Sequence, residues 1–260
     1  MAIDLFSIGR FTVHGYGLMI GLGFLTAVFV GSYLAKKSGL SDNDFVNMAM
    51  FVLIIGFLGG KLLHVIVEFR AFLSDPLSVL GSEGFVVYGG IITGVATIFV
   101  YCKAKKIDFA SYIDLFAASV PINQALGRIG CLLAGCCYGK ETTSSFSLVF
   151  PEKCCAPANV PLLPTQPIMA AGNFVIFAVL VTLWLKGYNK KKGLLTSLYL
   201  IMYSIGRFLI EFLRDDERGS VGPLSTSQFI SLFIFAAGAV LLYFVISRDK
   251  RATAAEKSDN

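Results

Sequence analysis

Charge is scarce in this sequence. Lys, Arg, Asp and Glu make up 15% of its 260 residues, against about 25% in soluble domains. With 55% hydrophobic residues and a mean hydropathy of +0.72, that scarcity excludes a water-soluble globular domain and indicates a polytopic membrane protein. A basic patch interleaved with aromatics is also missing, which assigns the net charge of +5 to topology and anionic lipid headgroups and excludes nucleic acid as a partner. No basic region precedes the first apolar run, so that run is expected to stay as an anchor and not to be cleaved as a signal peptide. No convincing internal repeat of the kind found in many transporters is present. The cysteines form neither a C-x-x-C motif nor the separated ligand pairs of zinc sites, so no metal is expected.

What is abundant is long apolar runs. Stretches able to cross a hydrocarbon core of about 30 Å fall at residues 15–35, 45–68, 85–102, 109–127, 167–186, 194–213 and 227–247. The expected fold is all-α with seven transmembrane helices. Most of the 22 basic residues follow odd-numbered spans: Lys36 and Lys37, Lys103 to Lys106, Lys186 to Lys192, and Arg248 to Lys257. The positive-inside tendency then predicts an outer N terminus and a cytoplasmic C terminus. Residues 1–14 read as an outer-face arm, 15–247 as the membrane domain, 70–83 as an external loop with an interfacial helix, and 248–260 as a cytoplasmic solvated tail. A Cys-rich external loop is expected over 128–166.

Five of the six cysteines (Cys131, Cys136, Cys137, Cys154 and Cys155) lie at or beyond the outer boundary, where disulfides persist. Bridges between the pair Cys136 and Cys137 and the pair Cys154 and Cys155 would close loops of about 17 to 20 residues, each worth up to about 3 kcal/mol.

Ionisable residues inside apolar runs are costly and mark functional sites. Lys61, His64, Asp114, Arg128, Arg207, Glu211 and Arg214 qualify. His64 reads as a hydrogen-bonded interior or interfacial histidine, and Asp114 as structural. In "YSIGRFLIEFLR", Tyr203, Arg207, Glu211 and Arg214 recur at intervals of four, four and three, one face of a helix. Two arginines for one glutamate leave excess positive charge, which suits a phospholipid phosphate held by the planar guanidinium fork.

The segments "HGYGLMIGLGF", "GGKLLHVIVEF", "VVYGGIITG", "DLFAASVPINQALGRIG", "GRFLIEFLR" and "LSTSQFISL" occur in an order and spacing that resemble the prolipoprotein diacylglyceryl transferase family over residues 12–246. The resemblance implies a multi-pass enzyme of the bacterial inner membrane with its site toward the outer leaflet. It would move a diacylglyceryl group from phosphatidylglycerol to the lipobox cysteine of a prolipoprotein signal peptide, releasing glycerol phosphate without a cofactor. Tyr16, Arg128, Gly139, Tyr203, Arg207, Glu211 and Arg214 match family positions used in binding and catalysis, and Gln124, Ser225 and Gln228 also match; Lys61 joins the substrate-binding candidates. Arg128 and Arg207 would stabilise charge on the departing phosphate, and a base such as Glu211 would take the thiol proton. The family's HGG motif reads Tyr88-Gly89-Gly90 here, which makes Tyr88 an orienting hydrogen-bond donor. The GRxGNFxNxE signature reads GRIGCLLAGC, and PSQLYE reads PTQPIM, with Pro167 to Met169 replacing its last three residues. The alternatives are a phospholipid-dependent transferase with another acceptor, a non-catalytic lipid binder, and a membrane thiol redox protein.

Overall fold

The computed structural model describes residues 4–8, 11–82, 84–152, 154–215 and 219–258. Among the described residues six helices are long and apolar enough to cross a membrane, and no more than 28% of any of these spans is buried inside the protein. The usual arrangement of a soluble protein is inverted. Phe29 is 75% exposed and Leu77 82%, while Asp114, Thr165 and Gln166 are 0% exposed. Large apolar side chains outside and hydrogen-bonded polar ones inside are what a lipid solvent selects.

The chain divides into two compact units, Gly31–Ile113 on one hand and Met1–Val30 with Asp114–Asn260 on the other. The unit formed by Gly31–Ile113 contains the end of α1 (Gly15–Lys37), α2 (Asp42–Val67), α3 (Phe69–Ser74), α4 (Pro76–Gly81), α5 (Val87–Lys105) and the start of α6 (Phe109–Ala134). Ser41 caps α2 by accepting from the Asp44 amide at 3.2 Å, and Asp42 and Asp44 complement the helix dipole. Helices α2 and α5 meet through small residues. A Cβ at Gly89 would stand 2.3 Å from the Gly59 carbonyl oxygen, and one at Gly59 would overlap Thr93. This close approach is the packing mode of membrane helices, which gain little from burying apolar surface against each other. The loop expected over 70–83 is formed by α3 and α4; Asp75 caps α4 through the Ser78 amide, with Pro76 at the first helical position.

The other unit contains the hairpin β1 (Asp4–Ile8) and β2 (Phe11–His14), most of α1 and α6, and α7 (Thr165–Leu185), α8 (Leu194–Ile210) and α9 (Thr226–Ser258). Between α6 and α7 lie the short antiparallel strands β3 (Leu148–Val149) and β4 (Pro161–Leu162). Phe150, Ala156 and Leu162 form a small core there, with Leu132, Tyr138 and Cys154 against it. Strands β5 (Ser220–Val221) and β6 (Leu224–Ser225) lead into α9.

Helix α6 covers the expected run 109–127 but is not among the six, its hydropathy being lowered by Asp114, Ser119, Asn123, Gln124 and Arg128. Three expectations need correction. The loop expected from 128 begins only after Ala134, so Arg128 and Cys131 are helical. Helix α8 ends at Ile210 and a 3-10 turn follows over Glu211–Leu213, so Arg214 leaves the helical face in extended conformation. Finally, α9 continues through the expected tail as far as Ser258.

Candidate functional site

Helix α8 is held from its start by Asp114 of α6. The carboxylate accepts from the Gly193 amide at 2.7 Å, the Thr196 amide at 2.8 Å and the Thr196 hydroxyl at 2.5 Å. It thereby satisfies donors that the first turn leaves open and faces the positive end of the helix dipole.

Arg207, near the other end of α8, is locked from two sides. Its Nη1 lies 2.5 Å from Glu211 Oε2, one turn along, and its Nη2 donates to Ser227 Oγ at 2.6 Å. The Arg207 and Glu211 side chains are 10% and 8% exposed, so the pair is well shielded from water. Ser227 sits in the first turn of α9, where Ser225 and Gln228 form a reciprocal capping box: the Gln228 amide donates to Ser225 Oγ and the Ser225 amide to Gln228 Oε1, each at 3.1 Å. Ser225 and Gln228 therefore set the start of α9 and, through it, the position of Ser227. The sequence reading missed Ser227, although the S-x-x-Q box marked the turn that presents it.

Arg207 and Tyr203 line a cavity of about 270 Å³ between α7 and α8, whose other walls include Met169, Ile176, Ile210 and Leu213. A second apolar groove of about 240 Å³ runs on the opposite flank of α8, between Ile205 and Phe208 on one side and Leu232 and Phe235 on the other. Tyr203 stacks on Tyr199 at 5.7 Å between ring centroids, and the Tyr199 hydroxyl accepts from Gln124 Nε2 at 2.8 Å. Gln124 Oε1 is buried without a partner, as are Asn123 Oδ1 and Gln166 Oε1. Buried acceptors left open are costly and call for a ligand or water.

Arg128 and Arg214 converge on the C-terminal end of α6. Arg128 Nη1 is 3.7 Å from Cys137 Sγ and 4.0 Å from Cys131 Sγ. Arg214 is 6% exposed and contacts Met169 Sδ at 3.7 Å, and its backbone bridges Gly139. Gly139 is needed for that approach, since a Cβ there would stand 2.6 Å from the Leu163 carbonyl oxygen. Tyr16 packs on Gly130, where a Cβ would lie 3.2 Å from Tyr16 Cδ2. Hydrogen bonds from Cys131 and Cys136, reinforced by Arg214, hold the Cys137 thiol well below the ordinary thiol range. All six cysteines are free thiols. Cys136 and Cys137 turn toward Cys131 and not to Cys154 and Cys155, so the expected staples are not formed in this structure.

Lys61, His64 and Tyr88 belong to the unit Gly31–Ile113. Lys61 Nζ donates to the Ser82 carbonyl at 2.7 Å and the Gly84 carbonyl at 3.3 Å, and His64 Nε2 is 3.3 Å from Ser82 Oγ, which ties α2 to the segment after α4. Tyr88 is 39% exposed in the first turn of α5.

Fold and site together define a multi-pass helical membrane protein with buried arginines beside apolar grooves. A family model described as prolipoprotein diacylglyceryl transferase matches residues 4–244. A phosphatidylglycerol–prolipoprotein diacylglyceryl transferase 2 of Clostridium perfringens is 43% identical over 259 residues, covering 99% of this chain and 100% of that protein. The corresponding transferase of Clostridium tetani is 43% identical over 95% of this chain and 98% of its own length, and that of Finegoldia magna 32% identical over 91% and 92%. The chain belongs to the prolipoprotein diacylglyceryl transferase family.

Proposed function

We propose that this chain transfers the diacylglyceryl group of phosphatidylglycerol to the lipobox cysteine thiol of a prolipoprotein. A sulfur–carbon bond forms at the glycerol carbon, the carbon–oxygen bond to phosphate breaks, and glycerol phosphate leaves. The observation that carries this reading is Arg207, braced by Glu211 and Ser227 at the wall of an apolar cavity. A guanidinium has five N–H donors, so N–H groups remain for a lipid phosphate after those two bonds, while the grooves flanking α8 suit acyl chains. Charge grows on the phosphate as the bond breaks, and a preorganised cation stabilises that change most.

Arg128 and Arg214 supply further positive charge, and Glu211 is the carboxylate that accepts the thiol proton. The open acceptor of Gln124 suits a hydroxyl of the glycerol headgroup. Tyr203 and Tyr16 bind substrate, Gly139 keeps the backbone close beside it, and Tyr88 takes the orienting role of the family's HGG histidine. Lys61 contributes by holding its loop. Helix α6 is the seventh span, with its polar residues turned inward; the N terminus is outside, the C terminus is cytoplasmic, and the site opens to the outer leaflet of the plasma membrane. The distribution of basic residues supports that orientation.

The test is lipidation of a lipobox peptide by the purified protein in phosphatidylglycerol micelles, read as thioether formation and glycerol phosphate release. Wild type is expected to form both products and Arg207→Ala to lose both while remaining folded. A folded wild type that retains phosphatidylglycerol without releasing glycerol phosphate would overturn the reading in favour of a lipid binder.

A further inference from the structure

The sulfurs of Cys131, Cys136 and Cys137 all lie within 4.8 Å of one another. Local backbone chemistry creates this cluster. Helix α6 ends in a Schellman turn: Gly135 takes φ +72, its amide donates to the Leu132 carbonyl at 3.3 Å, and the Cys136 amide donates to the Cys131 carbonyl at 3.1 Å. Cys137 then adopts φ +61, an uncommon conformation for a residue with a side chain. Two fully buried residues brace it: Thr165 Oγ1 donates to the Cys137 carbonyl at 2.8 Å, and Gln166 Nε2 to the Cys136 carbonyl at 2.9 Å. The chain thus folds back so that residues five and six positions beyond Cys131 return their sulfurs to it.

We infer that Cys131, Cys136 and Cys137 form a three-thiolate binding site for a soft monovalent metal ion, of which Cu(I) is the chemical type. With metal–sulfur bonds of about 2.3 Å, three sulfurs around one ion stand about 4 Å apart, so the trio needs only a small contraction. A disulfide would bring two of the sulfurs to about 2 Å and leave the third unused. Thiolates select soft ions such as Cu(I) and Zn(II), and charge separates these two. Coordinated thiols are deprotonated, so the trio carries three negative charges, and Arg128 and Arg214 beside Cys137 bring two positive ones. In the lipid-free protein a monovalent ion closes that balance, whereas a divalent ion leaves an excess positive charge. Among the described residues no histidine or carboxylate joins the group, and three sulfurs suit the low coordination number of Cu(I) better than the four ligands of structural zinc.

The test uses the full chain, purified in detergent, reduced and freed of metal under anaerobic conditions. Cu(I) and Zn(II) are titrated separately in competition with chromophoric chelators, and cysteine alkylation is counted by mass spectrometry before and after loading. The expected result is one Cu(I) retained per chain, protection of Cys131, Cys136 and Cys137 from alkylation, and weaker retention of Zn(II). Cys137→Ser should lower Cu(I) affinity at least about tenfold, while the double substitution Cys154→Ser, Cys155→Ser should leave it unchanged. Failure of the reduced wild type to retain Cu(I), preferential retention of Zn(II), or protection of other cysteines instead of these three would each overturn the inference. Because alkylation is read on the wild type, the outcome does not depend on the folding of any variant. None of these readouts requires transferase activity, so the metal site and the proposed reaction stand or fall separately.

Discussion

Ser227→Ala is the most discriminating substitution, because it removes one hydroxyl and nothing else. In the native protein that hydroxyl accepts from Arg207 Nη2 at 2.6 Å, while Glu211 holds Nη1. A hydrogen bond to a charged group contributes about 1.5–3 kcal/mol. The Arg207 side chain is only 10% exposed, so water replaces the lost partner poorly and the upper half of that range applies. If Ser227 keeps the guanidinium aimed at the departing phosphate, that energy is lost in the transition state, and kcat/KM falls by about 40- to 140-fold at 1.4 kcal/mol per decade. Stability should fall by about 2 kcal/mol, since the better helix propensity of alanine, about 0.5 kcal/mol, offsets only part of the lost bond. The assay is release of glycerol phosphate from phosphatidylglycerol in the presence of a lipobox peptide, with kcat and KM determined separately and folding checked by thermal unfolding in detergent. Ser227→Thr, which keeps the hydroxyl, should restore most of the rate, and the loss in Ser227→Ala should fall chiefly on kcat. A Ser227→Ala protein with wild-type kcat/KM, or a folded Ser227→Thr protein as impaired as the alanine variant, would refute a positioning role for this hydroxyl.

Two further outcomes follow from the packing. Asp114→Ala leaves the Gly193 and Thr196 donors without their buried acceptor, and at about 1–3 kcal/mol per unsatisfied group it should destabilise the protein by about 3 kcal/mol, seen as an earlier midpoint in denaturant titration; Asp114→Asn, which keeps one acceptor oxygen, should cost less. Gly89→Ala forces a Cβ to within 2.3 Å of the Gly59 carbonyl oxygen and should destabilise the α2–α5 pair by at least about 1–3 kcal/mol, whereas Gly21→Ala, with nothing within 4 Å of the new carbon, should be neutral or stabilising by up to about 1 kcal/mol in the same measurement.

These residues also show which parts of the protein could be read from its sequence. Long apolar runs are visible because lipid imposes one condition on every outward side chain, so six helices long and apolar enough to span fall where hydropathy puts them. Helix α6 sits at the edge of that logic: its inward residues are the polar ones that serve α8 and the arginine cluster, and the residues that make it functional also lower its hydropathy. The spacing of Tyr203, Arg207 and Glu211 survives because α8 and the 3-10 turn keep them in helical succession. Arg214 departs because the chain becomes extended there and pairs with Gly139, a partner 75 residues earlier that helical periodicity cannot reveal. Gly135 was visible as a glycine following "CLLA", yet its consequence lies two residues further on. Only the left-handed turn returns Cys136 and Cys137 to the helix they have just left. Counting spacings treats these cysteines as a single and a pair facing another pair, while the Schellman turn makes three ligands of them and sets their sulfurs beside Arg128. The same short segment therefore joins the arginine that matches the family pattern to the thiols that depart from it, and any ion held by those thiols would sit in direct electrostatic contact with the guanidinium assigned to the lipid phosphate.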